Sequence, residues 1–227
     1  MKIDIITCLP ELLTSYIDGS MLKIGREKGL VDIRVHYLRD WTTDKHRSTD
    51  DSPYGGGPGM IMKIEPLVKA IRDLKTEDSV VIYPAPSGVV YDQKTARELS
   101  ELKHLIIICG HYKGIDGRIE NFVDRMISVG DYILTGGELA AMILADSVCR
   151  LIPGVISDIG SADTDSFENG LLDCDYFTKP PVFEGLAVPE VLINGNHKAI
   201  NEWRKNDSLE KTKTSRPDLY EKYKKIK

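Results

Sequence analysis

Three short apolar runs constrain the fold of this chain more than any other feature. Val80-Val81-Ile82-Tyr83 stops at Pro84-Ala85-Pro86-Ser87-Gly88, and Leu105-Ile106-Ile107-Ile108-Cys109 stops at Gly110-His111-Tyr112-Lys113-Gly114. Met126-Ile127-Ser128-Val129 ends at Gly130 and leads on to the Gly136-Gly137 pair. Helical spacing follows each run, over Gln93 to Leu102, Asp116 to Val123 and Leu139 to Cys149. Continuous apolar runs alternating with helices imply an α/β fold whose parallel sheet is covered on both faces. Ligands of such sheets bind beyond the carboxyl ends of the strands, so the three loops are expected to wall one small-molecule pocket. Paired glycines let a ligand lie against bare backbone, and a helix N-terminus offers it free N–H donors. No loop carries G-x-G-x-x-G with a downstream ribose acid, and Gly55-Gly56-Gly57 lacks the Lys-Ser/Thr of a P-loop. A dinucleotide fold and a nucleoside triphosphatase are therefore both poor fits.

The start of the chain suits the same architecture. Lys2 to Thr7 reads as a strand, Glu11 to Ile17 and Met21 to Lys28 as helices, and Val31 to Tyr37 as a half-buried strand of period two. Pro66 to Leu74 adds another helix. Between Arg39 and Met62 the periodicity stops. Here His46, Arg47, Asp50 and Asp51 crowd beside Pro53-Tyr54-Gly55-Gly56-Gly57-Pro58-Gly59-Met60, a mixture suited to ordering around a polar partner.

Leu139 to Cys149 is apolar on nearly every side, more than one sheet needs, and this predicts a homodimer packed through the region. The small, acidic stretch that follows reads as a linker. The expected organisation is a main domain over 1–157, a flexible linker over 158–171 and a small, mainly helical domain over 172–227. Helical spacing in the last part runs from His197 to Arg204 and from Pro217 to Lys224. Lysine and arginine concentrate there although the whole chain has a net charge of −5, so a phosphate backbone is a suitable partner for that surface. No apolar run approaches the roughly 20 residues of a membrane helix. Cys8, Cys109, Cys149 and Cys174 are scattered among apolar neighbours, as buried free thiols are. A cytoplasmic protein without membrane attachment is expected.

Seven motifs, taken in order, identify a family. They are Asp50 to Met60, Cys109-Gly110-His111-Tyr112, Ser128 to Glu138, Asp146 to Arg150, Asp165-Ser166-Phe167, Gly170 to Cys174 and Gly195-Asn196-His197. Together they resemble the bacterial tRNA (guanine-N1)-methyltransferases, knotted enzymes of the SPOUT class. The resemblance implies a deep C-terminal trefoil knot and an obligate homodimer with shared active sites. It implies S-adenosylmethionine held by Tyr83, Pro84, Pro86 and Gly88, by Gly110 and Tyr112, and by Val129, Gly130, Asp131, Tyr132, Ile133, Leu134, Gly136 and Gly137. The substrate implied is the anticodon stem-loop of tRNA, methylated on the guanine immediately 3′ of the anticodon. His46, Asp50, Tyr54, Gly55, Gly59, Asp173 and His197 are the matching substrate-binding positions. Lys113 stands where the family commonly carries an acid that helps to hold cofactor or metal. That departure argues against a magnesium requirement, and no protein metal ligand is expected.

Guanine N1 is a poor nucleophile, because it carries a proton at neutral pH and its lone pair is tied into the ring. Methylation there needs a base for that proton and a positive group for the charge spreading onto O6. By motif, Asp165 matches the family's general base and Arg150 its arginine. Without the resemblance Asp165 would be one acid in a linker, and Arg150 a cation favouring a helix dipole. A ribose or ribosomal RNA methyltransferase of the same class is the nearest alternative. A catalytically silent RNA-binding module is the next, and the presence of both Asp165 and Arg150 speaks against it.

Overall fold

The computed structural model describes residues 1–156 and 164–226, which fall into two compact units, Met1–Ile159 and Gly160–Lys227. The first part of the expected linker, 158–163, lies outside the described residues.

The first unit is built on β1 (Lys2–Thr7), β2 (Asp32–Tyr37), β5 (Ser79–Val90), β6 (His104–Ile108) and β7 (Arg125–Ser128). They form one parallel sheet in the order β2-β1-β6-β5-β7. Two residues each, β3 (Asp50–Asp51) and β4 (Ile61–Met62) form a separate antiparallel pair. Side chains alternate across a strand, so each strand feeds two cores. Ile3, Ile5, Leu105 and Ile107 face helices α1 (Glu11–Ile17), α2 (Ser20–Glu27), α4 (Gln93–Ser100) and α5 (Glu138–Cys149). Ile6, Ile106 and Ile108 face α3 (Ile64–Leu74) on the other side. All five residues of β6 are buried. Each such aliphatic side chain contributes about 1.5–3 kcal/mol by leaving water, which is why these runs dictate the sheet.

Two parts of this unit differ from the expected pattern. β5 does not stop at Tyr83 but runs to Val90, with its register against β7 shifting between Pro84 and Val89. Prolines have no N–H to donate, so the pairing is interrupted and then resumes. The helix expected over Asp116 to Val123 is a short 3-10 turn, Gly117–Asn121.

Within β1 Asp4 is fully buried. It accepts hydrogen bonds from His36 at 2.8 Å and His104 at 2.7 Å, and pairs with Lys2 at 2.7 Å. Burial alone would raise the Asp4 carboxyl. The hydrogen bonds from His36, Lys2 and His104, with the charge of His36, overcome it and hold the group well below the usual carboxylate range.

The second unit contains a hairpin, β8 (Val182–Phe183) with β9 (Leu186–Ala187), and two helices, His197–Ser215 and Pro217–Ile226. Residues 164–171 are a hydrogen-bonded turn of this unit: Phe167 N donates to Leu171 O at 2.7 Å, and Asp173 N to Ser166 Oγ at 2.9 Å. The first helix is far longer than the stretch to Arg204 read from sequence. Its buried residues, Ser208 and Thr212, are polar: Ser208 Oγ donates to Leu172 O, and Leu172 N donates to Thr212 Oγ1.

Candidate active site

In the strand order β6, β5 and β7 are neighbours, so their carboxyl ends deliver three loops to one edge of the sheet. These loops enclose a cavity of about 190 Å³. Tyr83, Pro84 and Pro86 line it from β5, and Gly110 and Tyr112 from the loop after β6. Val129, Gly130, Tyr132, Ile133, Leu134, Gly136 and Gly137 line it from the loop after β7. Asp131 and Gly88 are not in the lining. Gly88 is pressed on β7 instead, since a Cβ there would stand 2.4 Å from Ile127 N.

The base of the cavity is closed by backbone meeting backbone. Gly137 N donates to Gly110 O at 2.7 Å, and a Cβ on Gly137 would lie 2.6 Å from Gly110 N. Gly137 is also the residue before α5, so the free N–H groups of that helix begin at the cavity. Glu138, the first residue of α5, is buried and accepts a hydrogen bond from Thr7 Oγ1 at 2.7 Å, tying the helix to the end of β1. Burial, reinforced by the charges of Glu138 and Cys8, pushes the adjacent Cys109 thiol well up, so it stays protonated.

Sequence reasoning did not single out His111, Gly114, Thr135 or Ala140, which also line the cavity. The first three belong to the same loops and could have been found by taking each loop whole; Ala140 reaches it from the first turn of α5. Lys113 is in the lining too. Its side chain is exposed, and a Cβ on Gly59 would lie 3.6 Å from the Lys113 Cβ and Cδ.

The Gly-rich loop is joined to this edge by main-chain hydrogen bonds, Lys113 N to Met60 O at 3.1 Å and Met62 N to Gly114 O at 2.9 Å. Asp50, at the foot of that loop, hydrogen-bonds the Tyr112 hydroxyl; burial and the Asp50 charge together raise the phenol. Tyr54 is fully exposed at the tip, beside Gly55, and His46 is exposed on the preceding loop. One face thus carries the cavity, Asp50 and Gly59.

Arg150 lies elsewhere. It caps the carboxyl end of α5, a helix of 12 residues whose other end is at the cavity. At 1.5 Å rise per residue the separation is roughly 18 Å. Asp165, Asp173 and His197 belong to the second unit, Asp165 in its first turn and His197 at the start of the long helix. Asp173 accepts from Cys174 N at 2.7 Å and hydrogen-bonds Tyr176, whose phenol is raised first by desolvation and then by that bond. Among the described residues no group of three or more His, Cys, Asp or Glu side chains is placed to hold a metal ion. None of the described helices is long and apolar enough to cross a membrane.

The family model described as tRNA (Guanine-1)-methyltransferase TrmD matches residues 1–222. A protein of Dictyoglomus turgidum named tRNA (guanine-N(1)-)-methyltransferase is 52% identical over 222 residues, covering 98% of this chain and 91% of the relative. Proteins of the same name from Cytophaga hutchinsonii and Bacillus cereus are each 50% identical. They cover 98% and 97% of this chain, and 96% and 92% of their own lengths.

Proposed function

Since the chain belongs to the tRNA (guanine-1)-methyltransferase family, we propose that it methylates N1 of the guanine immediately 3′ of a tRNA anticodon, with S-adenosylmethionine as donor. The observation that carries this reading is the cavity walled by three strand-end loops, with glycines where side chains would collide. The residues there fit the donor. Tyr83, Pro84, Tyr132 and Ile133 offer apolar and aromatic surface, and the loops around Gly110 and Gly137 offer main-chain groups for its polar ends. Bound there, S-adenosylmethionine would supply an electrophilic methyl group on a sulfonium. A side chain at Gly136 would collide with Glu138 and His111, and one at Gly137 with the backbone of Cys109 and Gly110, so either would push apart the loops that form the cavity.

Asp165 takes the N1 proton, a role contributing on the order of 10²–10⁴-fold. Arg150 stabilises the charge that moves onto O6, and cannot itself lose its proton. His46, Asp50, Tyr54, Gly55, Gly59, Asp173 and His197 hold the anticodon stem-loop. Ala140 lines the cavity and Arg150 lies ten residues further along α5, about 15 Å of helix, which is more than an arginine side chain spans. Arg150 therefore serves the cavity of a second copy, and the enzyme is a homodimer whose sites are shared. Leu139 and Ile143 on α5 and Leu12 and Tyr16 on α1 are exposed, and Tyr16 hydrogen-bonds Asp146. This apolar face is the surface for the second copy. The trefoil knot and a cytoplasmic location belong to the same reading.

The test is transfer of labelled methyl to anticodon stem-loops that differ only at the target base. Guanine should be methylated at N1 and adenine not at all. Asp165→Asn should abolish transfer with donor affinity within about twofold of wild type. Label on the ribose, or turnover by the Asn variant, would refute the proposal.

A further inference from the structure

Phe167 stands two residues beyond Asp165, and its backbone is left-handed, with φ 78°. Glycine or asparagine is the usual occupant of such a position, because a Cβ crowds the neighbouring carbonyl. The same turn obeys that rule at Gly170, where φ is 82°. The turn fixes the conformation at Phe167 from both sides: its N–H donates to Leu171 O at 2.7 Å and its carbonyl accepts from Gly170 N at 3.2 Å. Packing does not account for an aromatic residue there, since Phe167 is 45% exposed. Of the non-glycine residues with left-handed φ among those described, the one other aromatic is Tyr112, which lines the cavity. Backbone strain retained without a packing return is concentrated at functional positions.

The chemistry at Asp165 gives a nearby aromatic face a use. Guanine N1 lies on the base-pairing edge, and enzymes that act on such an atom draw the base out of its stack into a pocket where donor and base converge on it. The stacking lost is restored most simply by an aromatic ring of the protein. We infer that the Phe167 ring is the stacking surface for the target guanine, holding it with N1 towards Asp165. This rests on the reading in which Asp165 takes the N1 proton.

The test is kcat/KM for the anticodon stem-loop in Phe167→Ala, Phe167→Gly and Phe167→Trp, with donor affinity and thermal midpoint measured alongside. Loss of a stacked base predicts a fall of about tenfold to a hundredfold for Ala and Gly. The Trp variant should stay within a few-fold of wild type, and donor affinity should be unchanged throughout. The Gly variant should melt no lower than wild type, because glycine accepts this φ without strain. A structural role for the ring would lower its midpoint instead. A stem-loop carrying 2-aminopurine at the target position should be less fluorescent on wild type than on the Ala variant. Ala and Gly variants within twofold of wild type, with the same 2-aminopurine emission, would overturn the inference and leave the reaction intact. A wild-type enzyme that leaves guanine unmethylated would overturn the reaction, and this inference with it.

Discussion

Gly137→Ala probes the contact that makes the cavity. The new Cβ would lie 2.6 Å from Gly110 N, 2.9 Å from Cys109 Cα and 3.1 Å from Cys109 C, all of them backbone atoms. An ordinary contact needs about 3.4 Å, so the start of α5 must retreat by roughly 0.8 Å. That retreat stretches the 2.7 Å hydrogen bond from Gly137 N to Gly110 O to the limit of bonding. Overpacking costs about 1–3 kcal/mol and the weakened bond about 0.5–1.5 kcal/mol. A combined loss of about 2–4 kcal/mol would lower the thermal midpoint by about 4–16 °C for a chain of this size. It also separates two loops that line the cavity, so donor affinity measured by calorimetry should fall by at least about tenfold. Gly117→Ala is the control: Gly117 is exposed and its Cβ would meet nothing within 4 Å. It should change stability by less than about 0.5 kcal/mol. A Gly137→Ala protein with wild-type midpoint and donor affinity would refute the geometry of the site.

Further expectations concern charge. Asp4→Asn removes a buried carboxylate held by Lys2, His36 and His104, with Arg34 also contributing to its field, and should cost about 3–5 kcal/mol at pH 7. Because the folded carboxyl is depressed, its contribution is complete above the unfolded value of about 4 and is lost as pH falls below it. The gap between wild type and variant in chemical denaturation should therefore narrow on acidification, and a gap independent of pH would contradict the account. Lys113→Glu should change donor affinity and magnesium response by no more than a few-fold, as the Lys113 side chain is exposed and its stem lies by Gly59; a larger effect by calorimetry would give this residue a direct role.

The parallel sheet was legible because β5, β6 and β7 each hold a short apolar run that gives way to glycine or proline. The edge where the loops gather followed from that. What sequence obscured lay where burial does not use apolar side chains. The helix His197–Ser215 packs Ser208 and Thr212 inward through hydroxyl hydrogen bonds to Leu172, so no hydrophobic period marks its second half. The hairpin at Val182 to Ala187 has strands of two residues, too short for a period, and only Glu184-Gly185, both left-handed, betrays it. β5 beyond Tyr83 was hidden because prolines advertise a loop, although pairing resumes at Val89. Asp165 illustrates the limit for function: its motif comes from the family, and nothing in its local composition sets it apart from other acids near a turn.

The shared site is tested most directly by a heterodimer. One subunit carries Ile133→Arg, which places a cation in the donor cavity at a residue 84% exposed and so leaves the fold intact. The other carries Arg150→Ala, and the two are purified together through separate tags. Each homodimer should be inactive. In the heterodimer one site keeps both a working cavity and a working Arg150, so about half of wild-type transfer to the stem-loop should return. No recovery, with both tags present in one dimer, would mean that cavity and arginine act within the same chain, and would contradict the account.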